Sequence, residues 1–311
     1  MRVLVVGATG VVGRQLVPLL LADGHTVVGT ATSEAGAAAI TGGEALVLDV
    51  LDAAATEAVV ASARPDVVVC QATALSSFGG NMRKFERYFA KTNRLRTEGT
   101  ANLLAAVERN GGARVIAQSY AASAYPPGGS YGKSEDEGFD PDPPKAMADT
   151  FASMRRLEES VAAASRDNVC LRYGFFYGPG TTLDVGGVQL EAVRKRQMPV
   201  VGDGDGAPSY LHVEDAARAV MAVLENGHGV YNIVDDEPAP FREWLPFVAG
   251  VLGAKPPRHV PVWLGRLFAG DAGVYMMTRA RGGSNAKARR DLGWEPVHPD
   301  WRTGFRAALS G

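Results

Sequence analysis

Met1-Arg-Val-Leu-Val-Val-Gly-Ala-Thr-Gly-Val-Val-Gly13 decides how the rest of the chain is read. Val3 to Val6 is an apolar, largely β-branched run of the kind a parallel strand needs when both of its faces are covered. It breaks at Gly7, Gly10 and Gly13, and the apolar residues that follow (Val12, Leu16, Leu19, Leu20) recur at helical spacing. The order is therefore strand, tight turn, helix start. Gly7 lets the chain turn, Gly10 lets backbone come close to a ligand, and Gly13 lets the helix pack on the strand. Free N–H groups around Val11 and Val12, with the helix dipole, favour negative charge, so the turn with Thr9 is a candidate pyrophosphate cradle. An ordinary glycine-rich turn carries the same spacing. Its place between a strand and an apolar-periodic helix favours a dinucleotide.

A chain of 311 residues can form one large α/β domain, or a nucleotide-binding domain with a smaller lobe. Its 32 basic and 34 acidic residues leave a formal charge of −2 with no long single-sign block. That balance predicts neither a nucleic-acid partner nor an acidic membrane surface. No run of about 18 apolar residues predicts a membrane span, and Val3 to Val6 is too short for a signal-peptide core. Cys70 and Cys170 lie in apolar runs that read as buried strands, so a disulfide is not expected and the reading is a cytoplasmic protein. Five scattered histidines, no two at helical ligand spacing, predict no metal site.

After a helix over Arg14 to Ala22, a second strand is predicted at Thr26 to Thr30. Its tip, Thr30-Ala31-Thr32-Ser33, carries no acidic side chain to hold an adenosine ribose 2′-hydroxyl, which tilts the cofactor choice between NAD and NADP slightly towards NADP, with Arg14 a helper. Ala45 to Leu48 reads as a third strand, followed by Asp49 and Val50 as candidate adenine neighbours and by Asp52 as the better helix cap. Asp66 to Gln71 is a fourth strand, and Gln71, Ala72 and Thr73 lie where a cofactor passes over the backbone. A loop begins at Phe78, a long helical region with Asn93 covers Arg83 to Arg109, and Arg114 to Gln118 is a fifth strand.

Gly7-Ala-Thr-Gly-Val-Val-Gly13, Asp49-Val-Leu-Asp52, Asn93 with Gly99-Thr-Ala-Asn-Leu-Leu104, and the polar strand end at Ser119 together resemble the extended short-chain dehydrogenase/reductase superfamily, in its NAD(P)-dependent epimerase/dehydratase group. Val169 to Gly180, Pro199 to Ala216, Tyr231-Asn-Ile-Val234 and Leu292-Gly-Trp-Glu-Pro296 extend the likeness over nearly the whole chain. The resemblance implies an α/β fold: a Rossmann-type doubly wound parallel sheet with a smaller C-terminal substrate lobe. Residues 1–170 would form the cofactor domain, its sheet completed near 171–180 and 230–234, and 181–311 mainly the lobe. It also implies cofactor contacts at Tyr173, Gly174 and Phe175, a hairpin from Pro199 leading into a helix, a small-molecule substrate and a homodimer through the long helices.

The same resemblance implies a catalytic tyrosine with a lysine four residues later, because a phenol is a poor base at neutral pH unless an ammonium one helical turn away stabilises its phenolate. Glu158 sets the register of the helix Ala148 to Ala163. Counting back puts Met154 at the lysine and Thr150 at the tyrosine, so the pair is absent. The Ser/Thr position falls on Tyr120, or on Ala121 if one residue is inserted before Tyr125. Tyr120 is the candidate proton carrier, with Ser119 beside it and Tyr177 in reserve; an aromatic packing over the cofactor is its structural alternative. Tyr131-Gly-Lys-Ser134 imitates the motif but reads as loop. Pro208 replaces an arginine that contacts diphosphate in nucleotide-sugar relatives, and His212 reads as ordering a loop or a helix start. The expected function is an NAD(P)-binding epimerase/dehydratase-like enzyme or oxidoreductase with non-standard acid–base residues. A non-redox cyclase, isomerase or lyase, or a sensor without catalysis, are the alternatives.

Overall fold

The computed structural model describes residues 1–75 and 78–309. Strand and helix alternate from the start: β1 (Arg2–Val6), α1 (Val11–Ala22), β2 (Thr26–Ala31), α2 (Glu34–Ala38), β3 (Glu44–Val47), α3 (Ala53–Ala63) and β4 (Val67–Cys70). Then α4 (Phe85–Arg94), a π turn (Leu95–Gly99) and α5 (Thr100–Arg109) run on as one helical rod to β5 (Arg114–Tyr120). The middle of the chain holds β6 (Gly132–Lys133), α6 (Lys145–Ala164), β7 (Val169–Tyr173), β8 (Phe175–Tyr177), α7 (Val188–Arg194), β9 (Val200–Val201), β10 (Tyr210–His212), α8 (Val213–Val223) and β11 (Gly229–Ile233). It ends with α9 (Phe241–Val251), β12 (His259–Val260), α10 (Val262–Thr278), β13 (Gly282–Gly283), α11 (Ala286–Leu292) and α12 (Trp301–Leu309).

The main sheet has seven strands in the order β11-β7-β5-β4-β1-β2-β3, and every pairing is parallel. This is the doubly wound, Rossmann-type sheet. Its faces sort by the period of two: Val3 and Val5 pack with Leu16, Leu20 and Val220 on one side, Leu4 and Val6 with Val60, Leu103 and Ala106 on the other. The α8 helix packs on α1, so part of the second half of the sequence covers the main sheet. The lobe has its own core of Tyr177, Leu190, Tyr210, Trp244, Leu245, Trp301 and Phe305.

Three expectations change. The segment from Pro199 is no hairpin: β9 pairs with β12 and β10 with β8, both parallel, because residues 202–209 carry the chain away instead of turning it back. Tyr131 to Ser134 is not all loop, since Gly132 and Lys133 pair with Gly282 and Gly283. The first helix starts at Val11, three residues early, because Gly10 already has the extended backbone of a cap. The thiols behave as expected. Cys70 and Cys170 both neighbour Ala117 from opposite sides, so two strand spacings, about 9.6 Å, separate them, beyond disulfide reach.

Beneath the end of β5 lies a buried ion pair. Glu158 of α6 accepts from Arg172 of β7 on both oxygens, at 2.8 and 2.7 Å, and Ser119 donates to the same carboxylate at 2.6 Å. Arg172 also donates to the Tyr125 hydroxyl at 2.9 Å and lies 4.3 Å over the Phe139 ring. Removing one partner strands a buried charge, so Arg172→Leu is expected to lower stability by about 3–5 kcal/mol in urea unfolding. A loss under about 1 kcal/mol would show that the pair does not hold this region together.

Candidate cofactor and substrate site

The first turn closes tightly. Gly7 sits at φ +87°, and a Cβ on Gly13 would lie 2.5 Å from the Gly7 carbonyl oxygen, so α1 is pressed against the turn itself. No side chain caps α1 and no acidic residue stands in its first turn. The N–H groups of Val11 and Val12 therefore have no intrahelical partner, which is what a pyrophosphate requires. The Gly178-Pro-Gly180 segment closes over this end, since a Cβ on Gly180 would meet Val11 at 3.9 Å. The turn fits the phosphate part of a dinucleotide on its own geometry.

The neighbouring strand ends are held by close local contacts. Asn102 donates to the Val50 carbonyl at 2.9 Å, and Gly99 comes so close that a Cβ there would be 2.8 Å from Val50. Asp49 accepts from the Leu51 N–H and lies 3.8 Å from Lys91, while Asp52 caps α3 as expected. Past β4, the Ala74 N–H is fixed by Thr92, which shapes the run Ala72 to Ala74. Gln71 donates to the Tyr173 hydroxyl at 3.3 Å and its carbonyl oxygen is buried with no partner among the described residues. Gly174 passes so near the Tyr210 carbonyl that a Cβ would sit at 2.8 Å, and Phe175 meets Tyr120 edge-on at 5.8 Å. Thr32 is exposed beyond the end of β2. Arg14 donates to the Thr9 carbonyl at 2.8 Å and, with Ala39, Ile40 and Thr41, lines a cavity of about 310 Å³.

On α6, Thr150 and Met154 are 4% and 0% exposed. Met154 packs among Phe85, Phe139, Phe151 and Tyr275. Asn93 donates to Thr150 at 3.1 Å and accepts from Ser153 at 3.1 Å, tying α4 to α6. Of the three expected proton carriers, two are placed elsewhere. Ser119 is spent on Glu158, and Tyr177 is buried in the lobe core, stacked 4.5 Å from Phe305 with burial and nearby carboxylates pushing its phenol far up. Neither can pass a proton to a substrate. Tyr120 stays at the strand end, sharing a hydrogen bond with Ser123 at 2.8 Å, and burial pushes its phenol well above the usual range, which keeps it protonated.

His212 caps α8, its Nδ1 accepting from the Glu214 N–H, and its ring centre lies 3.8 Å from that of His298. Burial, then the His298 charge, lowers its pKa to about 4. The histidines are thus not all scattered: His212, Asp215 and His298 bring one possible ligand atom each within 4.8 Å of the others. Both Asp215 oxygens, however, accept from the Val297 and His298 N–H groups, so this trio holds the segment before α12 in place.

One residue near the site escaped the sequence reading. Arg96 is 5% exposed and makes no hydrogen bond or ion pair with any described residue. Its signal was a charge in the buried stripe Thr92, Leu95, Arg96, Gly99, Thr100 and Leu103.

The sequence matches the family described as "NAD dependent epimerase/dehydratase family" over residues 3–234. It is 41% identical to a 3-diazoavenalumate denitrifying reductase from a Streptomyces species, over 98% of this chain and 99% of that protein. It is 30% identical to a UDP-glucose 4-epimerase of Mycolicibacterium smegmatis, over 95% and 94%. Among solved structures, the UDP-glucose 4-epimerase of Thermus thermophilus in complex with NAD matches with a TM-score of 0.76 at 24% identity, covering 100% of this chain and 98% of that one.

Gly10→Val places a branched side chain where the pyrophosphate would approach, while its surroundings are otherwise open apart from the Gly7 carbonyl at 3.2 Å. Titration with NADH and NADPH is expected to show binding weakened at least a hundredfold, with an unchanged circular dichroism spectrum. Parental affinity in the variant would mean that the cradle lies elsewhere.

Proposed function

The chain belongs to the NAD-dependent epimerase/dehydratase family, and from that premise we propose that it is a reductase whose acceptor is a diazo-bearing carboxylate. It is an NAD(P)-dependent enzyme with the family's fold and without the family's acid–base pair. The observation that carries the reading is the pair of buried residues at Thr150 and Met154, one hydrogen-bonded to Asn93 and the other sealed in an apolar cluster. An epimerase or alcohol dehydrogenase must give or take a proton at the reacting oxygen. Among the described residues, neither Thr150 nor Met154 on α6 can do so. The named activity of the 41% identical relative is that of a denitrifying reductase acting on a diazo compound, and hydride delivery to a carbon in the diazonium form needs no proton there.

Bound reduced nicotinamide would supply one hydride to the acceptor in its diazonium form: the C–H bond forms with the hydride's electron pair, the C–N bond breaks with its pair leaving on dinitrogen, the cofactor is oxidised, and no proton is needed at the reacting carbon. The chain's own part is to hold and to exclude. In this reading Gly7, Thr9, Gly10, Val11, Val12 and Gly13 hold the pyrophosphate. Asp49 and Val50 flank the adenine, and Gln71, Ala72, Thr73, Tyr173, Gly174 and Phe175 line the path to the strand ends. Asn93 acts through Thr150 and Ser153 by fixing α6 against α4. Tyr120, kept protonated, offers a ring and a hydroxyl to the pocket wall rather than a base. Thr32 and Arg14, with no acidic side chain among Thr30 to Ser33 at the tip of β2, support acceptance of a 2′-phosphate, and so NADPH over NADH.

Supplied with 3-diazoavenalumate, the protein is expected to oxidise cofactor and lose diazo absorbance one for one. Its kcat should show no bell-shaped dependence between about pH 6 and 9, because no acid or base on the chain takes part. Absence of cofactor oxidation, or a bell in kcat, would contradict the reading. Thr32→Asp is expected to weaken NADPH binding tenfold or more, about 1.4 kcal/mol, and to leave NADH unchanged; a parent that already prefers NADH tenfold would contradict the 2′-phosphate assignment.

A further inference from the structure

Arg96 is a buried cation with nothing to neutralise it. The segment between α4 and α5 is a π turn, a local widening of the helix that often occurs at functional sites. Here Arg96 shares the buried side of that rod with Leu95 and Gly99, and the turn packs against α6. Its Nη1 is fully enclosed without a partner among the described residues. Burial lowers its pKa to about 10, so it remains charged at neutral pH, and it is near enough to Tyr120 and Glu158 to feel both.

Neither neighbour compensates it. Both oxygens of Glu158 are taken by Arg172 and Ser119, and Tyr120 is held neutral. A charge enclosed in this way is costly unless a counter-charge arrives. The cofactor's phosphates belong to the turn after β1, two strands from β5 and so about 10 Å away. The anion must therefore be the substrate's. Aromatic rings stand at the same strand end: Tyr120, near enough to Arg96 to feel its charge, meets Phe175 edge-on at 5.8 Å.

We infer that Arg96 is the anchor for a substrate carboxylate, and that the site selects a flat, unsaturated or aromatic acid whose charged end enters towards the π turn. Arginine suits the task because its planar fork meets a carboxylate with two parallel hydrogen bonds. The inference rests on the placement of substrate at the ends of β5 and β7, and needs no hydride transfer.

Binding alone tests it. Cinnamate and its uncharged analogue cinnamamide are titrated against the NADPH-loaded parent, Arg96→Met and Arg96→Lys, with NADPH affinity and circular dichroism as controls. The parent is expected to bind cinnamate at least tenfold more tightly than the amide. Arg96→Met should abolish that ratio without weakening NADPH, and Arg96→Lys should keep part of it. A parent that binds the two probes equally, or binds no cinnamate, overturns the inference without any variant. A folded Arg96→Met that keeps the ratio does so as well. If the ratio behaves as expected while 3-diazoavenalumate is not reduced, the anchor stands and the reductase reading falls.

Discussion

The Glu158–Arg172 ion pair is the constraint on which the rest of the site depends. It joins α6 to β7, holds Ser119 at the end of β5 and fixes Tyr125 through Nη1, the third nitrogen of the guanidinium. Because it is satisfied on both oxygens, it leaves no negative charge for the space in front of it. Met154 and Thr150 project from the same helix with nothing to ionise, and Arg96 then stands as the uncompensated charge among the described residues at this strand end. Stability and chemistry are joined here: the carboxylate that secures the fold is the one that is withheld from the site.

The cofactor half was legible because its signals are local. A glycine that must adopt φ +87° and another whose Cβ would strike a carbonyl oxygen at 2.5 Å leave a mark within seven residues of sequence. Strand alternation between Val3, Leu4, Val5 and Val6 is equally short-range, as is the Asp52 cap. What was not legible depends on distant partners. The pairing of β9 with β12 and of β10 with β8 is decided by elements far along the chain, so the segment between Pro199 and Ala216 looked like a hairpin. His212 and His298 meet only in the folded lobe.

The proton carriers show the same limit from another side. Counting along the chain put Ser119 and Tyr120 together at the strand end, but a strand sends successive side chains to opposite faces. Ser119 turns under the sheet end to Glu158 and Tyr120 turns to Phe175 and Ser123. Arg96 lies on the regular buried stripe with Leu95, Gly99 and Leu103, but a charge there reads first as a surface residue, and only the folded chain shows that it is enclosed.

A pocket that binds a hydride donor and an acid, yet supplies no proton, is restricted to acceptors that take a hydride and complete the reaction by expelling a neutral group. That restriction is what the proposed function imposes on the substrate. It is tested by following hydrogen from cofactor to product, using NADPH carrying deuterium at the transferring position in ordinary water, and unlabelled NADPH in heavy water. One deuterium at the carbon that lost nitrogen in the first experiment, and none there in the second, is the predicted result. Deuterium arriving at that carbon from solvent would contradict it.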